Sequence, residues 1–351
     1  MGAIKGYAAL QAGAMLAPFT FDRRPVGSKD IQVQISSCGI CHSDIHQVRD
    51  EWGGSIFPMV PGHEIVGTVT KVGENVKKYS EGETVGVGCF VDSCQTCPSC
   101  TKGLEQYCEA GMILTYNGLD KNGQPTYGGY SSQIVVNEQY VLKIPQSLPL
   151  EGVAPLLCAG ITTYSPLRQW GVGKGHRLGV VGLGGLGHMA VKFGKIFGAE
   201  VTVFSRSDNK RKEAERLGAT DFAATSQEGT FTRLARQFDF IIDTVSGAHD
   251  YNAYLDLLKT DGTYILVGAP SEPISIGAFP LILRRRRLVG SLIGGIRETQ
   301  EMLNFCGEHG ITSDVEVIPI QQINEAYERV LRGDVRFRFV IDLASLAQAI
   351  R

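Results

Sequence analysis

Hydrophobic and polar positions follow two different rhythms along this chain, and the change falls near residue 150. Up to that point short runs alternate with a two-residue period or are simply β-rich: I-Q-V-Q-I from 31, E-I-V-G-T-V-T-K-V from 64, T-V-G-V-G-C-F-V from 84 and Q-I-V-V from 133. Clusters of Gly, Pro and Asn separate them, which predicts a β-barrel-like or irregular β domain whose loops carry the special residues. From Leu178 strands and helices take turns: L-G-V-V-G-L, a helix from Gly185 to Gly198, V-T-V-F-S, a charged helix near 209 to 217 and a short strand at Asp221. D-F-I-I-D from 239, Y-I-L-V-G from 264 and L-V-G-S-L-I from 288 continue the series. Strands alternating with helices in this way predict a doubly wound parallel sheet. Leu186, Met189, Ala190, Phe193 and Phe197 fall on one stripe of the first helix, as a helix covering a sheet requires. The last patterns, ending in V-R-F-R-F-V-I-D, do not extend that series and are expected to return to the first domain. The domains are therefore read as 1–151, 152–295 and a returning segment 296–351.

Composition narrows the class. A chain of 351 residues, 43% apolar, buries a substantial core and has the length of about two domains. With 34 Lys plus Arg against 36 Asp plus Glu, the net charge of -2 gives no long-range pull toward nucleic acid or an anionic membrane. The arginines at 284 to 287 are the one dense basic run, read as a solvated loop leading into a strand. No segment is apolar for the roughly 18 residues needed to cross a bilayer. The N-terminal residues lack the layout of a secretory signal, so a cytoplasmic location is expected.

The candidate chemistry lies in loops. Cys94, Cys97, Cys100 and Cys108 are spaced to converge on one ion, as a closed tetrahedral zinc site requires. Two disulfides would also use four cysteines, but a reducing compartment favours ligands. Gly182, Leu183, Gly184, Gly185, Leu186 and Gly187 spell G-x-G-x-x-G between a strand and a helix, the turn that seats a dinucleotide pyrophosphate at a helix N-terminus. The next strand ends in Ser205 and Arg206, with Ser207 and Lys210 following and no carboxylate at its tip. Hydroxyls and cations suit a 2′-phosphate, which points to NADP(H). Cys41, His63 and Cys158 come from three separate segments and form a second zinc set, with the fourth position left for water, substrate or Glu64.

C-H-S-D-I-H, G-H-E, the four-cysteine loop, C-A-G-I-T-T-Y and G-L-G-G-L-G together resemble the zinc-containing medium-chain alcohol dehydrogenases, most nearly the NADP-dependent cinnamyl alcohol dehydrogenase branch. The likeness runs in order over nearly the whole chain. It implies a GroES-like β-rich catalytic domain joined to a Rossmann domain, two zinc ions per chain, and a catalytic zinc on Cys41, His63 and Cys158 with Glu64 as exchangeable fourth ligand. It further implies that Asp44 orients His63, and that Ser43 and His46 form a proton relay. His42 is assigned to the cofactor phosphates, Thr162 to the nicotinamide, Val267, Gly268 and Ala269 to its carboxamide, and Arg338 to the pyrophosphate.

The reaction expected is reversible hydride transfer between NADPH and an aromatic or medium-chain aldehyde, with Trp52, Phe57, Phe90 and Leu114 as candidate pocket residues. Cys38, Cys89 and Cys306 match no ligand position and are read as free thiols. A zinc polyol dehydrogenase is the competing enzyme, although that branch usually lacks a cysteine at position 158. A catalytically silent NADPH-binding protein is the competing class. The apolar edge strand at 288 to 295, together with the resemblance, leads to the expectation of a homodimer.

Overall fold

The computed structural model describes residues 3–270 and 272–349. In chain order the strands are β1 (Ile4–Ala8), β2 (Ala17–Phe21), β3 (Asp30–Gly39), β4 (Ile65–Val72), β5 (Thr84–Val87), β6 (Phe90–Asp92), β7 (Ile113–Leu114), β8 (Gln133–Asn137) and β9 (Val141–Lys143). They continue with β10 (Arg177–Val181), β11 (Glu200–Ser205), β12 (Asp221–Ala224), β13 (Phe238–Asp243), β14 (Leu258–Leu266), β15 (Arg287–Gly290), β16 (Val315–Pro319) and β17 (Arg338–Asp342). One unit comprises Met1–Ile161 with Gly294–Arg351, the other Thr162–Ile293.

The first unit is built around β3. Its alternation buries Ile31, Val33 and Ile35, and it pairs antiparallel with β4, β8 and β17. The sheet runs β16-β17-β3-β4-β5-β9, with β8 also on β3, so the chain's last strands are stitched to its first long one. Helix Ile323–Arg332 buries Ile323, Ala326, Tyr327 and Val330, a one-faced stripe at helical spacing. The run from 84 is not continuous. It breaks at Gly88 and Cys89, whose carbonyls accept from Thr115 Oγ1 and N, and β6 leaves the sheet to pair with β7. The first unit also extends past residue 151, because the turns Leu150–Gly152 and Ala154–Leu157 carry buried Val153, Ala154, Leu156 and Leu157, and the changeover falls inside helix Ala159–Gln169.

The second unit is a parallel sheet ordered β12-β11-β10-β13-β14-β15. The order reverses between β10 and β13, where open parallel sheets of this kind bind ligands beyond the strands' carboxyl ends. Helix Gly187–Ile196 buries Met189, Ala190 and Phe193, in keeping with the sequence stripe. The four arginines do not form a solvated run. Arg286 is buried and donates to the carbonyls of Leu258 and Pro280 and to Asp256 Oδ1, while Arg285 pairs with Asp261. A guanidinium with five donors suits a spot crowded with strand-end acceptors.

Candidate active site and cofactor turn

Helix His42–Val48 begins directly after Cys41, and the capping geometry builds half the site. Asp44, three residues on, accepts from Cys41 N through Oδ2 at 2.8 Å, which fixes where the helix starts. The same carboxylate is fully buried. It accepts from Gly62 N at 3.2 Å and Tyr130 Oη at 3.1 Å, and its Oδ1 lies 3.2 Å from His63 Nδ1. Gly62 holds φ +102, and a Cβ there would lie 2.7 Å from the Tyr130 ring, so only glycine makes the turn that brings His63 inward. With Nδ1 turned to Asp44, His63 presents Nε2 to the ligand side.

Cys41, His63, Glu64 and Cys158 are all buried, and each offers a ligand atom within 4.8 Å of the others. The Cys41 and Cys158 sulfurs are 3.9 Å apart. The hydrogen bond from Cys158, helped by His63, holds the Cys41 thiol well below its ordinary range despite its burial. Burial pushes the Glu64 carboxyl up to about 7, and the Arg338 guanidinium pulls the other way. Arg338, assigned to the pyrophosphate by resemblance, is buried here and donates to Glu64 Oε1, while Glu64 Oε2 and Arg338 Nε have no partner among the described residues. Two thiols, an oriented imidazole and a carboxylate with an orphaned oxygen fit a zinc ion with an exchangeable fourth position.

Ser43 Oγ lies 3.6 Å from Cys41 Sγ, at the edge of this cluster. His46 is one turn further along the helix; its Nδ1 is 2.5 Å from Glu51 Oε2, its ring stacks on Trp52 at 4.7 Å, and its buried Nε2 has no partner among the described residues. Sequence reasoning did not single out Glu51, nor the Tyr130 hydroxyl on Asp44, nor Tyr116, whose ring stacks on His63 at 5.7 Å. Burial keeps both tyrosines protonated by raising them well above their ordinary pKa. Among the proposed pocket residues Phe90 is buried edge-on to Tyr140, so it packs the core, whereas Trp52 is exposed and Phe57 and Leu114 are half-buried.

The four-cysteine loop folds as the spacing requires. Backbone N–H groups of Cys94, Cys97, Cys100 and Glu109 point at sulfurs of Cys108, Cys94 and Cys97 at 3.3 to 3.5 Å. The N–H groups of Thr96 and Cys97 bring the Cys94 thiol down to about 6. The four sulfurs lie within 4.8 Å of one another, and all nine cysteines of the chain are free thiols, so this is a ligand set and not a pair of disulfides. Four sulfurs are enough to fill a tetrahedral shell, so the set fits a closed zinc site.

In the second unit Gly182 takes φ +85, and its N–H donates to the Phe204 carbonyl. Gly184 has open space where a Cβ would stand, leaving room for the pyrophosphate above the start of helix Gly187–Ile196. Lys210 Nζ donates to the Leu183 carbonyl at 2.9 Å, tying the turn to the Ser205–Lys210 segment. Burial and the Arg206 charge lower the Lys210 pKa. Asp208, the nearby carboxylate, is engaged by Arg211 at 2.7 Å, so Arg206 remains exposed beside Ser205 and Ser207. Val267 and Gly268 donate their N–H groups to the Asp243 carbonyl; Thr162 is buried on its helix and His42 is exposed on the first turn of its own.

Residues 27–146 match the alcohol dehydrogenase GroES-like domain family, and residues 185–308 match the zinc-binding dehydrogenase family. Over 347 residues the chain is 57% identical to the NADP-dependent alcohol dehydrogenase C 1 of Mycolicibacterium smegmatis, covering 99% of each protein. The chain belongs to the zinc-binding alcohol dehydrogenases. Among solved structures this dehydrogenase is similar to a cinnamyl alcohol dehydrogenase from Sorghum bicolor, with a TM-score of 0.95, 48% identity and 98% of each chain covered. It is also similar to the Helicobacter pylori cinnamyl alcohol dehydrogenase complexed with NADP(H), with a TM-score of 0.92, 43% identity and coverage of 97% of this chain and 98% of that one. The alcohol dehydrogenase fold and the cinnamyl alcohol dehydrogenase-like branch are thus those to which the sequence motifs pointed.

Proposed function

We propose that this dehydrogenase interconverts primary alcohols and aldehydes, aromatic or medium-chain, with NADP(H) as hydride carrier and zinc at the buried tetrad. The observation that carries the reading is that tetrad: three strong ligands, and a fourth, Glu64, whose grip is shared with Arg338. Zinc held there supplies a Lewis acid for the carbonyl oxygen, and NADPH supplies the hydride.

The chain's own residues position the ligands and move the proton. Asp44 holds the His63 tautomer. Arg338 competes for Glu64, so the fourth position opens without leaving a bare buried carboxylate. The Ser43 hydroxyl gives a proton to the product oxygen in the reducing direction, and His46, backed by Glu51, exchanges protons with solvent. Arg206, Ser205, Ser207 and Lys210 read the 2′-phosphate.

We read its ligands as small molecules, with no nucleic-acid partner in view of the near-neutral charge; among the described residues no helix is long and apolar enough to cross a membrane. Nine cysteines outside any disulfide support a cytoplasmic reading. We read it as a homodimer formed across the β15 edge, because Phe279, Ile282 and Leu283 are exposed just before that edge strand. Light scattering near twice the 38.0 kDa chain mass supports this, and a monomer removes it.

The test of function is NADPH and NADH oxidation with cinnamaldehyde, benzaldehyde and a ketose, alongside metal analysis. Turnover of the aldehydes with NADPH is expected. Activity confined to the sugar would make it a polyol dehydrogenase, and cofactor binding with no turnover would make it a silent homologue. Ser43→Ala should lower kcat with zinc content unchanged; an unaltered kcat at saturating substrate removes Ser43 from the relay.

A further inference from the structure

The loop after β13 carries a pair that the hydride chemistry does not use, a fully buried carboxylate, Asp243, and a half-buried imidazole, His249. Asp243 ends β13 and is fully buried at the place where the strand order turns back. Its Oδ1 accepts from Val245 N at 3.0 Å, and its Oδ2 accepts from Tyr264 Oη at 2.9 Å. The same Oδ2 lies 2.9 Å from His249 Nε2, and His249 Nδ1 lies 2.9 Å from the Gly247 carbonyl oxygen. Both ring nitrogens therefore face acceptors. A neutral imidazole has one N–H and satisfies one of them, whereas the imidazolium satisfies both. Burial works against the charge, but the bond to Asp243, its charge and the Gly247 carbonyl outweigh it and raise the His249 pKa above its ordinary value. The rings of Tyr251 and Tyr254 from the following helix lie 4.1 and 5.5 Å away, and Asp250, which caps that helix, adds a second negative charge.

The loop closed by this pair touches two of the segments assigned to the cofactor within the second unit, the glycine turn and residues 267–269. A Cβ on Gly182 would lie 2.6 Å from Val245 Cγ2 and 3.2 Å from Thr244 Oγ1, and Thr244 Oγ1 donates to the Val181 carbonyl at 2.7 Å. On its other side the Val245 backbone packs directly on Gly268, and Ala269 N donates to Ser246 Oγ at 3.3 Å. Loosening residues 244–249 thus loosens the glycine turn and the 267–269 segment together.

We propose that His249 is a positioning residue for NADP(H): as an imidazolium it ties the 244–249 loop to Asp243, and the loop holds the glycine turn in its binding shape. The inference rests on reading residues 182–187 as the dinucleotide turn. Cofactor affinity then carries the His249 proton. It is highest where His249 is protonated and weakens as pH rises through the raised pKa, and by reciprocity NADPH binding raises that pKa further.

The test measures the NADPH Kd of the zinc-loaded enzyme from pH 6 to 9, for wild type and His249→Gln. Glutamine keeps one donor for Asp243 without the charge. At pH 6 the variant should bind about tenfold more weakly, a charge-assisted bond's worth, and the gap should close by pH 9, with the loss seen in KM for NADPH rather than in kcat. Titration of the 2′-phosphate is common to both proteins and cancels. A gap independent of pH, or no gap, overturns the proposal. If the variant does not fold, NMR titration of His249 in the wild-type enzyme decides, since its pKa must rise on adding NADPH and an unchanged pKa overturns the proposal. A wild type that bound no NADPH at any pH would overturn the reading of the turn itself and the inference with it.

Discussion

Asp44 Oδ1 stands 3.2 Å from Nδ1 of His63, and its other oxygen caps the helix that begins after Cys41. One carboxylate therefore sets the orientation of one candidate zinc ligand and the backbone position of another. Replacing it with asparagine keeps the shape but turns a charged acceptor into a neutral amide. Asp44→Asn should weaken zinc binding at the tetrad by about 10- to 100-fold, with kcat/KM falling alongside. Competition with a chelator, followed by metal analysis, reads this directly. Undiminished affinity would mean that the carboxylate's charge is not needed to orient His63.

The four-cysteine site should separate from catalysis. Cys100 is buried, and its sulfur lies 3.9 Å from Cys94 Sγ and 3.3 Å from Ser93 Oγ, which in turn bonds Tyr140 Oη at 2.8 Å. Removing one ligand should release that zinc and loosen the 94–108 lobe from the sheet. For Cys100→Ser zinc should fall from about two per chain to about one, with a Tm lower by about 5 °C or more and early cleavage of the lobe by protease. Activity per remaining zinc should hold at low temperature. A variant that lost activity with stability and lobe intact would contradict a structural role.

Cofactor choice should rest on Arg206. It is exposed at the tip of β11 while Asp208 is occupied by Arg211. Arg206→Ala should raise KM for NADPH roughly 10- to 100-fold, the range for losing hydrogen bonds to a charged group, and leave NADH within about twofold. Equal losses with both cofactors would place Arg206 elsewhere than at the 2′-phosphate.

How much of this was legible beforehand depended on how local each signal is. The six strands of the second unit and the stripe of helix Gly187–Ile196 follow from periodicity, because each position reports its own face. The two sets of candidate zinc ligands were legible because few other arrangements place Cys and His at such spacings. The contacts that tune them were not. Tyr130 meets Asp44 across 86 residues of sequence and Arg338 meets Glu64 across 274, and nothing in the neighbourhood of either tyrosine or arginine signals the pairing. The break between β5 and β6 was hidden for a related reason: V-G-V-G-C-F-V alternates smoothly, and only Thr115, arriving from a later loop, takes up the carbonyls of Gly88 and Cys89. His249 carries no motif at all, and its environment appears only when β13, β14 and the following helix are assembled around it.

Asp30 gives the acid limb of the stability profile. It is buried at the start of β3, where it accepts from Gly27 N at 2.8 Å and from both terminal nitrogens of Arg24. Burial alone would raise its pKa, but the Arg24 and Gly27 bonds outweigh it and the carboxyl is held below its ordinary value. A depressed carboxylate pKa contributes stability that is fully present above the unfolded value, about 3.9, and is lost as pH falls through the folded value. Asp30→Asn should therefore cost about 1–2 kcal/mol at pH 7, with the difference from wild type shrinking below about pH 4. Urea unfolding of both proteins at pH 7, 5 and 3 checks the sign. A difference that grew toward acid would mean that the Arg24 pair does not hold Asp30 ionised.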